Sequence, residues 1–255
     1  MRLDKAGIGQ DAEGSANTRM FFTIGAEGPL LEDIKMATKE VSVAIKAPKF
    51  ETVEMVLEGT APLVIARFSK KSELQAKMAE GGSAKNKKVR EARDYDNEAD
   101  QAKYYNSTKE WEGLHAGAFR AAAISACRLV GFKMTLAKLS VFIHADDFDL
   151  EGATPLVRIY GKSETNISHT RNATGVVDLR ARPMYKKWAT KLRMQYDADQ
   201  FSAQDVFNLI SRVGMQVGVC EGRPDSKSSA GCGWGTFRVV PDSELEAVKS
   251  VYGIQ

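Results

Sequence analysis

The stretch from Trp188 to Tyr196 alternates without a break, and this narrows the fold more than any other feature of the chain. Trp188, Thr190, Leu192, Met194 and Tyr196 fall on one side of an extended backbone. Ala189, Lys191, Arg193 and Gln195 fall on the other. A period of two marks a strand with one buried face and one half-exposed face. The chain must therefore build a sheet with an apolar side for helices to cover, and a basic side that is left open.

The residues that follow supply such a helix. Ser202 is placed to cap it, with Asp205 three residues on as the reciprocal acid. Val206, Leu209, Ile210 and Val213 recur at helical spacing. Gly214 stands where a C′ residue with positive φ belongs. An apolar run, Met215 to Val219, leads into a glycine-rich loop carrying Arg223, Lys227, Gly231, Gly233 and Gly235. Phe237 to Val240 reads as a strand. Helix, basic loop and strand together can lay backbone amides and cations along a polyanion; a plain surface loop fits the same residues.

Upstream, Thr52 to Glu58 alternates as a first strand. Gly117 to Gly131 is an alanine-rich helix with Phe119, Ala122, Ala123, Ala126, Leu129 and Val130 on one face. Leu139 to His144 reads as a strand, with Leu156 to Tyr160 as its hairpin partner across an acidic turn at Asp146, Asp147 and Asp149. Ser243 to Tyr252 is a closing helix. This order predicts an α+β, ferredoxin-like (RRM-like) βαββαβ core. Residues 1–50 form an N-terminal arm, and 51–255 a single domain with insertions at about 66–115 and 162–187. The first insertion has a basic front and an acidic rear. The second is a basic, protruding hairpin.

Composition removes several classes. A net charge of +3 gives no global attraction to nucleic acid, so any polyanion site must come from local clustering. Cys127, Cys220 and Cys232 make no zinc pattern, and an odd count suits a reducing compartment. No apolar run is long enough to span a bilayer. A cytoplasmic protein is expected, in the host cytoplasm if the gene is phage-borne. Gly161-Lys162-Ser163 lacks the earlier glycine of a P-loop. His115, His144 and His169 are not paired at metal spacing. No cofactor, metal or catalytic residue is predicted. Two acidic groups keep a metal reading open: the Asp146, Asp147, Asp149 turn, and Asp94 with Asp96.

The strand followed by Gly59-Thr60-Ala61-Pro62-Leu63, the charged insertion before an alanine-rich helix, the basic hairpin before a long strand, and the close Gly231-Cys232-Gly233-Trp234-Gly235-Thr236-Phe237 together resemble the Cas7-like repeat-associated (RAMP) superfamily, the backbone subunits of CRISPR effector complexes. Single-strand coats of phages or other mobile elements with the same fold are resembled equally. The resemblance implies non-catalytic binding of single-stranded nucleic acid, RNA or DNA, by subunits stacked head to tail.

The candidate binding residues are Lys85, Lys87, Lys88 and Arg90 on the first insertion, Arg171, Arg180 and Arg182 on the second, Lys191 and Arg193 on the long strand, and Arg223 and Lys227 in the glycine-rich loop. The long strand is expected beside the final strand, so that Lys191, Arg193, Arg180, Arg182, Arg223 and Lys227 border one groove. Two other functions fit the same sequence: a structural subunit of a phage or other assembly that binds protein only, and a metal-dependent nuclease on the same fold.

Overall fold

A computed structural model describes residues 45–67, 93–171, 177–226 and 230–255, with side chains described outside 170–178. The chain divides after Ile45, and the larger unit is Lys46–Gln255. The expected arm lies outside the described residues, as do most of the first insertion and the turn at Asn172, Thr174 and Gly175.

The protein is a mixed α+β structure with two antiparallel sheets, and the larger curls into a half-barrel. Its spine is one long strand, β9 (Val177–Asp197). The strand predicted from Trp188 is thus the second half of a longer one. Along one edge β9 pairs with β1 (Phe50–Gly59), from Phe50↔Asp197 to Glu58↔Ala189, and with the short β2 (Leu63–Val64). Along the other it pairs with β5 (Val141–His144) and with β8 (Tyr160–Arg171). β8 and β9 form the hairpin expected of the second insertion. β10 (Phe237–Val239) lies on the far side of β1. The expected contact between β9 and the final strand is therefore corrected: β1 stands between them. The smaller sheet has the order β3 (Tyr104–Tyr105), β4 (Glu112–His115), β7 (Pro155–Arg158), β6 (Asp147–Phe148). The predicted hairpin of Leu139–His144 with Leu156–Tyr160 does not form, because β5 joins β9 and β7 joins β4. Leu139 and Ser140 end a helix, α3 (Met134–Ser140), rather than begin a strand. α1 (Tyr95–Gln101) completes the described part of the first insertion.

Alternation along β9 holds as predicted. Trp188, Thr190, Leu192 and Met194 are fully buried, and Tyr196 nearly so, whereas Lys191, Arg193 and Gln195 are half-buried. The buried face packs on α2 (Ala116–Cys127) through Phe119, Ala123, Ala126 and Cys127, and on α4 (Ala203–Arg212) through Val206, Leu209 and Ile210. Trp188 anchors the join. Its Nε1 donates to the Ala61 carbonyl at 2.9 Å, and its ring meets Phe237 edge-on at 6.1 Å. A Cβ on Gly59 would lie 2.1 Å from that Nε1, so only glycine fits beneath the indole.

A bulge resets the phase. Gly161 pairs with Trp188 and Ser163 with Tyr185, so Lys186 and Lys187 oppose Lys162 alone. Before it Ala181, Pro183 and Tyr185 face inward; after it the even-numbered residues do. All three lysines are exposed. Tyr185 also ties the two sheets together. Its hydroxyl donates to Glu112 Oε2 at 2.6 Å, and Lys103 Nζ meets Oε1 of the same carboxylate at 3.0 Å.

α4 carries the predicted capping box between Ser202 and Asp205. It does not end at Gly214. A π-helical turn, Val213–Val217, extends it to Gly218, which takes the positive φ of 70°. Gly214 serves close approach instead, since a Cβ there would lie 2.1 Å from the Phe237 carbonyl oxygen. The last helix, α5 (Asp242–Tyr252), packs on the opposite face of the sheet. There Val248 and Ile254 form a small separate cluster with Val56, Ala189 and Val240. The face expected to be bare is thus covered over its middle. No helix among the described residues is long and apolar enough to cross a membrane.

Candidate nucleic-acid interface

The open face beyond α5 is built by register. Glu54 pairs with Arg193, Thr52 with Gln195 and Phe50 with Asp197, while His144 and Phe142 of β5 stand opposite Arg193 and Gln195 on the other edge. All these side chains share the side of Lys191, away from the buried faces of α2 and α4, and Arg120 of α2 lies with its guanidinium carbon 5.0 Å from the centre of the Phe142 ring. At one end Phe50 and Phe142 pack edge to face with centroids 5.8 Å apart. At the other end is a cleft of about 260 Å³ lined by Trp111, Arg158, Tyr160, Lys191, Arg193 and Asp146, among others. The Arg158 guanidinium carbon is 4.7 Å from the centre of the Tyr160 ring and 5.9 Å from that of Trp111. Trp111 precedes β4, Arg158 ends β7 and Tyr160 begins β8, so three elements meet at this one cation.

Lys191 and Arg193 are already engaged. Lys191 Nζ lies 3.1 Å from Glu54 Oε1 and donates to the Gln255 carbonyl at 3.2 Å. Arg193 Nη2 donates to Asp146 Oδ1 and to the Ala145 carbonyl, each at 3.0 Å. Asp146 in turn accepts from the Arg158 backbone N–H at 2.9 Å. Partly exposed pairs of this kind contribute about 0.2–1 kcal/mol. Hydrogen bonds to charged groups reach about 1.5–3 kcal/mol. A phosphate would have to compete with Glu54 and Asp146 for these two cations.

The remaining candidates lie elsewhere. Arg223 donates to the Cys220 carbonyl at 2.9 Å, and Arg182 Nε lies 3.3 Å from Glu221 Oε2. Arg223 lines a second cleft that shares no residue with the first. The single groove predicted for Lys191, Arg193 and Arg223 is thereby corrected to two sites, because β1 separates β9 from the strand that closes the glycine-rich loop. Arg180 is half-buried on β9, and Arg171 sits near the hairpin tip with its side chain outside the described residues. Lys85, Lys87, Lys88, Arg90 and Lys227 also fall outside them. Gly231 and Gly235 serve the loop itself: a Cβ would lie 2.2 Å from the Arg223 carbonyl oxygen at the first and 1.9 Å from that of Val219 at the second.

The acidic groups are occupied in other ways. Asp147 accepts from the Ser107 hydroxyl at 2.6 Å, and Asp149 pairs with Arg67 at 2.8 Å. Burial pushes the Asp149 carboxyl above its ordinary value, against the pull of Arg67. Asp94 caps α1, and Asp96 accepts from the Thr165 hydroxyl at 2.7 Å. Among the described residues no group of three or more His, Cys, Asp or Glu gathers to hold a metal ion.

Sequence reasoning placed Lys191 and Arg193 on this face and missed Arg158, Tyr160, Phe50 and Phe142. Alternation of Val157 and Ile159 with Arg158 and Tyr160 was the available signal for Arg158 and Tyr160. No protein-family model matches the chain, and no curated protein matches it.

Proposed function

We propose that the protein binds single-stranded nucleic acid, RNA or DNA, on the open face of β1, β9 and β5, without cleaving it. The observation that carries this is Arg158 set against Tyr160 and Trp111 beside Lys191 and Arg193. Aromatic rings that can stack on bases, alternating with cations that can meet phosphates, are what a sequence-tolerant single-strand site needs. The core plan is read as ferredoxin-like. What supports this is the pairing series β10, β1, β9, β5, all antiparallel, with α2 crossing from β1 to β5 and α4 from β9 to β10. The same plan and the same activity are what the resemblance to Cas7-like backbone subunits and phage single-strand coats implies. Head-to-tail oligomers along the strand belong to this proposal.

The test is titration of single-stranded oligonucleotides at several salt concentrations. Replacing Arg158 and Tyr160 together by Ala is expected to weaken binding at least tenfold, about 1.4 kcal/mol. Affinity should fall steeply with salt, as phosphate contacts require. A folded double variant that binds as the parent does would rule this face out as the binding site. Cleavage of the strand on adding magnesium would replace coating with nuclease action.

A further inference from the structure

The second cleft has a different chemistry. It measures about 300 Å³ and lies between the residues after β2, the β3 strand, the start of α2 and the loop after the π-helical turn. Ile65, Ala66 and Ala118 give it apolar walls, and Tyr104 and His115 add two rings. Glu221 and Arg223 bring one carboxylate and one guanidinium to the same space.

Both charged groups are held in place with capacity to spare. The Glu221 backbone N–H donates to the Val64 carbonyl at 3.0 Å, which fixes the residue against β2. Its Oε2 takes the long contact from Arg182, leaving Oε1 to accept. Arg223 uses Nη1 on the Cys220 carbonyl, and a guanidinium has further N–H groups to donate. Burial pushes the neighbouring Cys220 thiol up to about 12, so it lines the cleft as a small neutral group, with Arg223 opposing the shift only in part.

Size and charge limit what fits. A cavity at the low end of the range for small-molecule sites admits one heterocycle with little more than a sugar. With Glu221 already paired to Arg182, the cleft offers a set of one spare carboxylate oxygen and the Arg223 N–H groups. It matches a flat, neutral ligand that shows donors and acceptors along one edge. Among nucleobases, guanine offers N–H donors for a carboxylate and the O6 and N7 acceptors for an arginine. We propose that this cleft binds a single guanine base, of a free nucleotide or of a bound strand, against the Tyr104 and His115 rings. The free-nucleotide form goes beyond the strand-binding proposal; the strand form rests on it.

Calorimetric titration of the full chain with GMP, AMP, CMP and UMP reads the free form. Titration with short single strands that differ only in containing or lacking guanine reads the strand form. In at least one arm guanine should bind at least tenfold tighter. Ala118→Phe, which fills the cleft, should abolish that preference, and so should Glu221→Gln, which serves if the first variant misfolds by circular dichroism. Binding of guanine-free strands should be unchanged in both variants. Arg158→Ala with Tyr160→Ala should do the reverse, lowering strand affinity while sparing GMP, so failure of either site is seen separately. Absence of any guanine preference in both arms, or a preference that survives both cleft variants, overturns the assignment.

Discussion

The two faces of β9 share one backbone and differ in everything that decides how firmly a residue is held. On one side Trp188, Leu192 and Met194 are sealed against two helices. On the other Lys191 and Arg193 keep 30% and 42% of their side-chain surface in water and rest on carboxylates. A packed apolar contact has no substitute in the unfolded chain, so losing it costs stability. An exposed ion pair exchanges readily with water or with another anion. The rigid face therefore sets the geometry, and the exposed face can exchange its contacts.

The sharpest break of that contrast is Trp188→Ala. It should cost about 3–5 kcal/mol from the lost indole and the cavity left beneath it, seen as a lowered midpoint in urea. A result under 1 kcal/mol would mean that the indole does not anchor the join. Gly214→Ala comes next. The added methyl meets the Phe237 carbonyl, and overpacking of this kind costs about 1–3 kcal/mol. Thermal denaturation should register it, and an unchanged midpoint would show that β10 can withdraw from α4. On the opposite face, Arg193→Ala should change stability by less than about 1 kcal/mol while weakening strand binding. Equal loss of both would erase the distinction between the faces.

The smallest expected effect concerns acid. Asp225 accepts a hydrogen bond from the Ser125 hydroxyl and pairs with Arg128 at 2.9 Å, which together hold its carboxyl below the ordinary range. A lowered folded-state value means the contribution is complete above the ordinary carboxylate pKa of about 3.9 and fades as pH falls through and below it. Asp225→Asn should therefore narrow its stability gap to the parent between pH 5 and pH 2 (about the span over which such a group titrates). A gap that stays constant with pH would locate the stabilisation elsewhere.

Local rules were legible and partner choice was not. The period of two along Trp188 to Tyr196 and the Ser202–Asp205 cap depend on neighbours in sequence, and both are present. That β1 lies between β9 and β10 depends on which distant strand wins an edge, which no local pattern records. Leu139, Val141 and Ile143 alternate, yet Leu139 closes α3 and is 69% exposed, because a brief alternation also fits the end of a helix. Lys186 and Lys187 give no warning of a bulge. At the candidate site the basic face was readable. Its carboxylate partners were not, since Glu54 and Asp146 reach it from separate strands and turns. The meeting of Trp111, Arg158 and Tyr160 likewise required the second sheet, whose short strands carry too few residues to show a period.

The place of β1 has a consequence for synthesis. The hydrogen bond from Arg238 to Glu58 spans 180 residues, and β9 reaches β1 only a little sooner. At ordinary elongation rates β1 waits on the order of 10 s or more for its partners to emerge. A lone apolar strand with two open edges invites pairing with other nascent chains. Glu51, Glu54 and Glu58 interrupt its apolar residues at intervals. In the finished protein Glu54 and Glu58 hold Lys191 and Arg238. During the wait the same charges act as gatekeepers that keep identical strands from stacking.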